Sequence, residues 1–294
     1  MRSNKSGLYE TYQFLYEQKW PNGFRCPRCE HHQAYTIQST ARTLPLYQCK
    51  LCRHQTTLTA GTIMEGSRTS LTKWRTVIEL VSTKNSVNAV QLATIIRVTY
   101  KTAWSILHKI RRSISKLDKS RRVTGLVTNS VAFYARPPFV YFPTDREYPV
   151  WVCCAQEQEV RRDSSLERNE GLYVKIKLLT KRDLSDQKLS SSGEMRIFEE
   201  NLEQQALPAT LNRGEFRRDP LLYPLFMQAK HWLNSTFRGI SGKYQQAYWD
   251  EFCFRLNFEH FAVPLSTLLT SLCMGCPTIA VTSEATQTVR VISA

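Results

Sequence analysis

The chain has 294 residues, of which 42% are apolar, and a chain of this length can form two or three domains with buried cores. Its first residues show no apolar segment with a cleavage site, and its longest apolar run is far below the ~20 residues of a membrane helix. We therefore expect neither a secretory signal nor a membrane span. Residues 1–124 hold 21 Lys and Arg against 6 Asp and Glu and so carry the whole net charge of +15, whereas residues 125–294 hold 19 of each sign. This asymmetry predicts an N-terminal module that binds a polyanion and a neutral body, with a basic face that contacts only water as the alternative.

Two C-x2-C pairs, separated by nineteen residues, dominate the N-terminal sequence. The four cysteines are Cys26, Cys29, Cys49 and Cys52. Two such pairs can place four thiolates around one ion, and this spacing is typical of a tetrahedral Zn²⁺ site. Short strands are predicted at 35–38, 46–48 and 55–59. Residues 1–66 are thus expected to form an N-terminal helix and a zinc ribbon, in which structural Zn²⁺ supplies folding free energy.

Two other roles for these thiols fit the sequence less well. A disulfide framework needs an oxidising compartment, and we expect no secretion signal. A redox motif needs a single C-x-x-C pair and leaves the second pair unexplained. We expect buried structural thiols at the other cysteines, which are Cys153, Cys154, Cys253, Cys273 and Cys276.

Residues 67–122 are predicted to form a three-helix domain. Apolar spacing predicts helices at 71–83, 87–95 and 100–114, with a turn at 97–99. Ser70 or Thr72 can cap the first helix, and Thr99 can cap the third. A short helix, a tight turn and a helix with a basic outward face are typical of a helix-turn-helix DNA-binding domain. A three-helix bundle whose polar face only contacts water is the alternative.

The third of these helices carries the predicted contacts to duplex DNA. Such a helix enters the major groove with its first residues nearest the base edges, while later basic residues lie nearer the phosphates. His108 is expected on the surface, because no second metal ligand lies at helical spacing from it. The predicted DNA-binding residues are Tyr100, Lys101, Thr102, Ser105, His108, Lys109, Arg111 and Arg112.

These motifs carry a family resemblance. The segments KWPNGFRCPRCE, YQCKLCRHQTTLTAGTIMEGSRTSLTKW and YKTAWSILHKIR resemble the N-terminal part of bacterial insertion-sequence transposases with a zinc ribbon ahead of a DDE-type, RNase H-like domain. A second block, AKHWLNSTFRGISGKYQQAYWDEFCFRLN, resembles the closing segment of that family. The resemblance implies duplex DNA as the partner and allows a homodimer. In an active member, three acidic or polar residues hold two Mg²⁺ ions for in-line attack on phosphodiesters.

The sequence departs from the family at each expected acidic position. Asn129 and Ser130 stand where the first carboxylate is expected, Glu199 or Glu200 is nearest to the second, and Gln228 occupies the third. Neutral side chains cannot supply the anionic oxygens that two Mg²⁺ ions need. We therefore assign no catalytic residue and expect Mg²⁺ only if the DDE centre is active.

Residues 123–294 are expected to form a degenerate RNase H-like domain of mixed α/β structure. Its predicted strands lie at 131–135, 139–142, 149–155 and 173–179, and its predicted helices at 194–205, 221–236 and 243–257. The segment 206–220 is predicted to be irregular, and the C-terminal apolar stretch is predicted to form a packed helix. Solvent or structural roles are expected for the remaining acids, Asp145, Asp163, Asp183, Asp186, Asp250 and Glu251.

The sequence thus predicts an α+β multidomain protein with an N-terminal zinc ribbon, a helix-turn-helix three-helix domain and a C-terminal RNase H-like α/β domain. The favoured function is DNA binding by a protein of transposase descent, in the cytoplasm at the nucleoid, without a small-molecule substrate or a membrane contact. Two alternatives stay open. One is an active two-metal transposase whose metal ligands lie elsewhere, and the other is a zinc-ribbon adaptor for RNA or protein.

Overall fold

The computed structural model describes residues 2–39, 43–83, 86–135, 147–156, 172–237, 240–259 and 263–275. The chain divides into two compact units. The first is built from the residues up to 113 together with the segment from 263, and the second from residues 114–262. The C-terminal segment was predicted to be part of the body, but its described residues 263–275 belong to the first unit.

A helix and a three-stranded sheet begin the first unit. Helix α1 spans Arg2–Lys19, and the strands are β1 (Ala34–Ile37), β2 (Leu46–Cys49) and β3 (Gln55–Thr57). The sheet is antiparallel in the order β1-β2-β3. Each strand lies within two residues of its predicted position, so the local architecture predicted around the cysteines is confirmed.

Three helices follow at the predicted positions, namely α2 (Leu71–Ser82), α3 (Ala89–Ile95) and α4 (Tyr100–Ser120). The side chains of Ser70, Asn88 and Thr99 accept hydrogen bonds from backbone N–H groups in the first turns of α2, α3 and α4, respectively. Helix α4 continues six residues beyond its predicted end, and its residues from 114 belong to the second unit.

The C-terminal segment contributes helix α9 (Leu265–Cys273) to the first unit, where it packs against α1 and α2. The hydroxyl of Ser271 donates a hydrogen bond to Gln18 Oε1 at 2.7 Å. The backbone N–H of Ile63 donates to the carbonyl of Cys273 at 3.1 Å. The prediction of a packed C-terminal helix is confirmed, but its partners lie at the opposite end of the chain.

A four-stranded mixed sheet forms the centre of the second unit. Its strands are β4 (Leu126–Ala135), β5 (Glu147–Gln156), β6 (Leu172–Leu178) and β9 (Leu207–Thr210), and a small hairpin is formed by β7 (Leu184–Ser185) and β8 (Lys188–Leu189). The order is β6-β5-β4-β9, with β9 parallel to β4 and the other pairs antiparallel. The strands predicted at 131–135, 149–155 and 173–179 are confirmed, and the one predicted at 139–142 lies outside the described residues.

Helices cover both faces of this sheet, namely α5 (Ser191–Asn201) on one face and α6 (Arg213–Arg218), α7 (Leu222–Thr236) and α8 (Gly242–Asn257) on the other. Successive side chains of a strand point to opposite faces. Trp151 of β5 therefore packs with Ile197 of α5, while its neighbour Val152 packs with Trp249 of α8. The body is a three-layer α/β structure, in agreement with the predicted mixed class.

The prediction of an irregular segment at 206–220 was wrong, because this segment contains β9 and α6. Strand β9 contains Pro208 and shows no polar and apolar alternation, and its pairing with β4 joins distant parts of the chain. Local sequence signals do not report such a strand. None of the described helices combines the length and the apolar character that crossing a lipid bilayer requires.

Candidate metal centre and nucleic-acid interface

The two C-x2-C pairs form tight turns of the same geometry. In the first turn the backbone N–H of Cys26 donates to the carbonyl of His31 at 3.0 Å, and in the second the N–H of Cys49 donates to that of His54 at 2.9 Å. The residue before each histidine has a positive φ, 61° in the first turn and 60° in the second. Both turns thus direct their cysteine side chains in an equivalent way.

These turns bring the four sulfur atoms together. All four Sγ atoms lie within 4.8 Å of one another, and the Cys26–Cys52 and Cys29–Cys49 pairs are each 3.6 Å apart. Zn–S bonds of ~2.3 Å in a tetrahedral site separate the sulfurs by about 3.8 Å. The donor set and its spacing therefore fit Zn²⁺. In the described ranges, no other group of three or more His, Cys, Asp or Glu side chains converges in this way.

The surroundings of the thiols shift the pKa values of Cys49 and Cys29 in opposite directions. Burial raises the pKa of the Cys49 thiol, but hydrogen bonds, chiefly from the backbone N–H groups of Cys52 and Leu51, together have the larger, opposite effect. The net result is a pKa lowered to about 7. A backbone hydrogen bond at His31 lowers the pKa of Cys29, but contacts with the other thiols and burial raise it to about 12. A thiolate at Cys49 is thus accessible near neutral pH, and a bound dication would favour ionisation of the Cys29 thiol.

Aromatic side chains fix α1 to the ribbon. The rings of Tyr16, Trp20, Phe24 and Tyr47 form a cluster in which centroids lie between 5.1 and 5.9 Å apart. The ammonium of Lys19 donates to three backbone carbonyls at the end of β3, at 3.2, 2.9 and 2.5 Å. The ribbon sheet, which is too small for a core of its own, is thus supported by α1 on one face.

The first turn of α4 presents the predicted base-contacting residues to solvent. Tyr100 is 56% exposed, Lys101 is exposed and Thr102 is half-buried. Ser105 and Arg112 are exposed farther along the helix. Four of the eight predicted residues are thus exposed on α4 and Thr102 is half-buried, and their contact with DNA stays a prediction.

Two other predicted contact residues lie inside the protein. His108 is 6% exposed and stacks on Trp104 with ring centroids 3.8 Å apart, and Arg111 is 2% exposed. The surface placement of both was wrong, because α4 is buried on more than the single apolar stripe that its sequence shows. Lys109 is half-buried, and its ammonium donates to the carbonyl of Ile63 at 3.0 Å. These three residues therefore do not extend the outward face of α4.

A neutral hydrogen-bond network occupies the position of the first expected carboxylate. Asn129 on β4 is fully buried, and its Oδ1 accepts from Trp151 Nε1 at 3.0 Å and from Thr210 Oγ1 at 3.2 Å. Its Nδ2 donates to the carbonyl of Ala209 at 3.2 Å. Ser130 is also buried, and its hydroxyl donates to a backbone carbonyl just beyond β9 at 3.0 Å. The network uses both the acceptor and the donor of the amide, and an ionised carboxylate has no donor.

The other two expected acidic positions lie on helix surfaces. Glu199 and Glu200 are exposed on α5, where Glu200 pairs with Arg196 at 3.1 Å. Gln228 is exposed on α7. None of these side chains belongs to a metal-binding group in the described part of the chain.

Asp250 and Glu251 are buried and paired, which agrees with the structural role expected for them. Asp250 pairs with Lys177 at 3.0 Å, and Lys177 also pairs with Asp118. Burial lowers the pKa of Lys177, but the carboxylates of Asp250 and Asp118 raise it well above its usual value. Glu251 pairs with Arg255 at 3.0 Å. The Asp250 pair thus joins α8 to β6, whereas the Glu251 pair lies within α8.

The other acids and cysteines named in the sequence analysis lie partly within the described residues and partly outside them. Asp183 pairs with Arg196 at 2.8 Å. Asp145, Asp163 and Cys276 lie outside the described residues. The interpretation of structural thiols is confirmed by the burial of Cys153, Cys154, Cys253 and Cys273.

Sequence reasoning missed one contact beside α4. The ammonium of Lys73 on α2 donates to the carbonyl of Arg97 at 3.2 Å, and Arg97 lies in the turn between α3 and α4 with a φ of 50°. No local pattern predicts this contact, because its partners are separated by the whole of α3. The basic character of both residues was the one available signal.

Comparison with known protein families finds a match in the N-terminal segment. A family model described as the transposase zinc-ribbon domain matches residues 9–55, which run from within α1 to the start of β3 and include all four ribbon cysteines. Searches of curated proteins and of solved structures give no significant match to the chain. The N-terminal segment is therefore transposase-like, and its four-cysteine cluster is consistent with structural zinc.

Proposed function

We propose that this chain is a transposase-derived protein that binds duplex DNA through its zinc ribbon and its α3–turn–α4 segment. The observation that carries the proposal is the convergence of four thiols within a segment that matches the transposase zinc-ribbon domain. The charge distribution supports it, because the excess of +15 lies entirely in residues 1–124. Clustered positive charge is the electrostatic signature of a nucleic-acid-binding surface, and a DNA partner implies a location at the nucleoid.

The α3–turn–α4 segment is the proposed sequence-reading element. A capped short helix, a four-residue connection and a long helix follow one another, as in helix-turn-helix domains. The first turn of α4 exposes Tyr100 and Lys101, an aromatic and a cationic side chain. Lysine can donate to the acceptors of guanine in the major groove, and exposed Arg112 is suited to a phosphate.

The body is proposed to be an RNase H-like domain that has lost two-metal chemistry. In support, the first strand of the body, β4, lies inside a mixed sheet with helices on both faces. Asn129 and Ser130 lie on this strand, and their buried side chains form hydrogen bonds with other groups of the protein. A site of this kind stabilises the sheet and offers no anionic oxygen to Mg²⁺.

A binding experiment tests the DNA-binding proposal. The zinc-loaded chain is used to select duplexes from a random library, and affinities are then measured between 50 and 200 mM salt. We expect one preferred sequence bound at least ~10³-fold more tightly than unrelated duplexes, with affinity that falls steeply with salt. Tighter binding to RNA, or no binding to any duplex at low salt, would favour the adaptor alternative instead.

A second experiment tests the inert body. The selected duplex is incubated with the chain and Mg²⁺ or Mn²⁺, and nicking and strand transfer are followed on denaturing gels. We expect no metal-dependent product. Nicking that EDTA abolishes and that persists after further purification would establish the active-transposase alternative.

A further inference from the structure

A hollow lies beside the turn that precedes α4, within the first unit. Its volume is about 280 Å³, and it is formed by side chains of α2, of the end of α3 and of the turn. The lining residues are Thr72, Lys73, Thr76, Ile95, Ile96 and Arg97.

We infer that this hollow holds a backbone phosphate of bound duplex DNA, an inference that rests on the proposed DNA-binding function. Two cations and two hydroxyls line the hollow, and none of the six described lining residues is acidic. The lining also includes two isoleucines, so the complement to a phosphodiester, an anion with acceptor oxygens only, comes from the two cations.

Lys73 and Arg97 supply the contact, and the fold positions both. The ammonium of Lys73 is anchored to the carbonyl of Arg97 at 3.2 Å. An ammonium has three N–H donors, so this anchor leaves capacity for an anion. The hydroxyl of Thr76 already donates to the carbonyl of Thr72 at 3.1 Å, which leaves the two cations as the principal ligands.

The place of the hollow along the chain identifies the anion as part of the DNA that α4 contacts. Arg97 precedes Tyr100, the first residue of α4, by only three positions. The major groove is about 12 Å wide and is bordered by phosphates, so the turn before a groove-binding helix lies near the backbone. A contact at this point fixes the register of α4 on the duplex but reads no base.

The strained backbone of Arg97 gives a clean test. Its φ of 50° is unfavourable for a side chain and free of strain for glycine, so Arg97→Gly removes the cation without weakening the fold. We expect the salt slope of binding to become shallower by about 0.9 and the affinity at 0.15 M salt to fall about fivefold, equally for preferred and unrelated duplexes. The unfolding temperature should be unchanged or higher.

Three further variants keep the test decisive. Arg97→Lys retains the charge and should retain the slope, and Lys73→Gln should reproduce the shallower slope. Arg218→Gln, an exposed arginine of the neutral body, should change neither slope nor affinity. An unaltered slope in Arg97→Gly overturns the phosphate site alone, whereas absence of duplex binding by the wild-type chain overturns the proposed function with it. A thermal unfolding experiment with inorganic phosphate, compared with chloride at matched ionic strength, tests for a free-anion site. Phosphate should raise the unfolding temperature of the wild-type chain by no more than it raises that of Arg97→Gly. A larger rise in the wild-type chain would mark a free-anion site and contradict the assignment.

Discussion

Exposed basic side chains of the first unit and buried basic side chains of the second unit differ in what they can contact. Lys50, Lys101 and Arg112 of the first unit are exposed, whereas Lys175 of the second is fully buried. The ammonium of Lys175 donates to the carbonyl of Asp118 at 2.8 Å, near the end of α4. Exposed cations can exchange their counterions for a polyanion, and buried ones join elements of the fold. Solvent access, rather than the number of charges, therefore distinguishes the cations proposed to contact DNA from those of a structural network.

Removal of zinc should have the largest effect on the first unit. Cys49→Ser deletes one of four ligands, and structural zinc contributes about 10–16 kcal/mol to the folding of small zinc domains at pH 7. We expect the ribbon to unfold and duplex binding to be lost, as followed by metal analysis and amide NMR spectra. Cys154→Ala, which changes a buried thiol of the body, should leave the zinc content intact. A folded Cys49→Ser ribbon with one bound zinc would contradict the proposed centre.

The charge network of the second unit should give the next largest effect. Lys177→Met leaves Asp118 and Asp250 without their shared cation, and breaking a buried pair in this way costs about 3–5 kcal/mol of unfolding free energy. The folded-state pKa of Lys177 is raised, so its stabilisation should be complete below pH ~10 and be lost as the pH rises through the folded value. Denaturant titrations at several pH values measure both effects. Arg75→Gln, which breaks the exposed Arg75–Glu79 pair, should cost less than about 1 kcal/mol; an equal cost would remove the distinction between the units.

An acidic side chain at Asn129, where the first catalytic carboxylate was expected, should destabilise the body without producing an enzyme. Asn129→Asp places a carboxyl group in a dry site and removes the donor to Ala209, at a cost of about 3 kcal/mol at pH 7. Burial raises the pKa of such a group, so the cost should be small below pH ~4 and grow as the pH rises toward the folded-state value. Thr210→Val, which removes one bond to Asn129, should cost only about 1 kcal/mol. Metal-dependent nicking by Asn129→Asp would show that the remaining ligands are in place after all.

Single exposed cations on α4 should have the smallest effects. Lys101→Ala should cost about 1–3 kcal/mol on the preferred duplex and little on unrelated ones, because a base contact carries sequence preference. Arg112→Gln should weaken all duplexes alike and make the salt slope shallower by about 0.9. Arg111→Gln should lower stability instead, because Arg111 is buried. Fluorescence anisotropy on matched duplexes separates the three cases, and equal effects on both duplexes in Lys101→Ala would place Lys101 at a phosphate.

The features that the sequence predicted correctly are local ones. The C-x2-C spacing and short strand patterns located the ribbon. Helical periodicity located α2, α3 and the start of α4, and capping residues were predicted for α2 and α4. The errors concern contacts between distant segments. Strand β9 was missed because its pairing with β4 is invisible to local patterns, and the buried position of Arg111 was missed because its residue type is usual on surfaces.

The position of α9 has a consequence for the order in which the protein is made. Its buried residues Leu268 and Leu269 emerge from the ribosome long after α1 and α2, the helices against which α9 packs. The first unit therefore cannot finish folding until α9 has been translated. A product that terminates before residue 263 would expose apolar surface of α1 and α2 and invite degradation. The proposed DNA recognition would thereby depend on translation through α9.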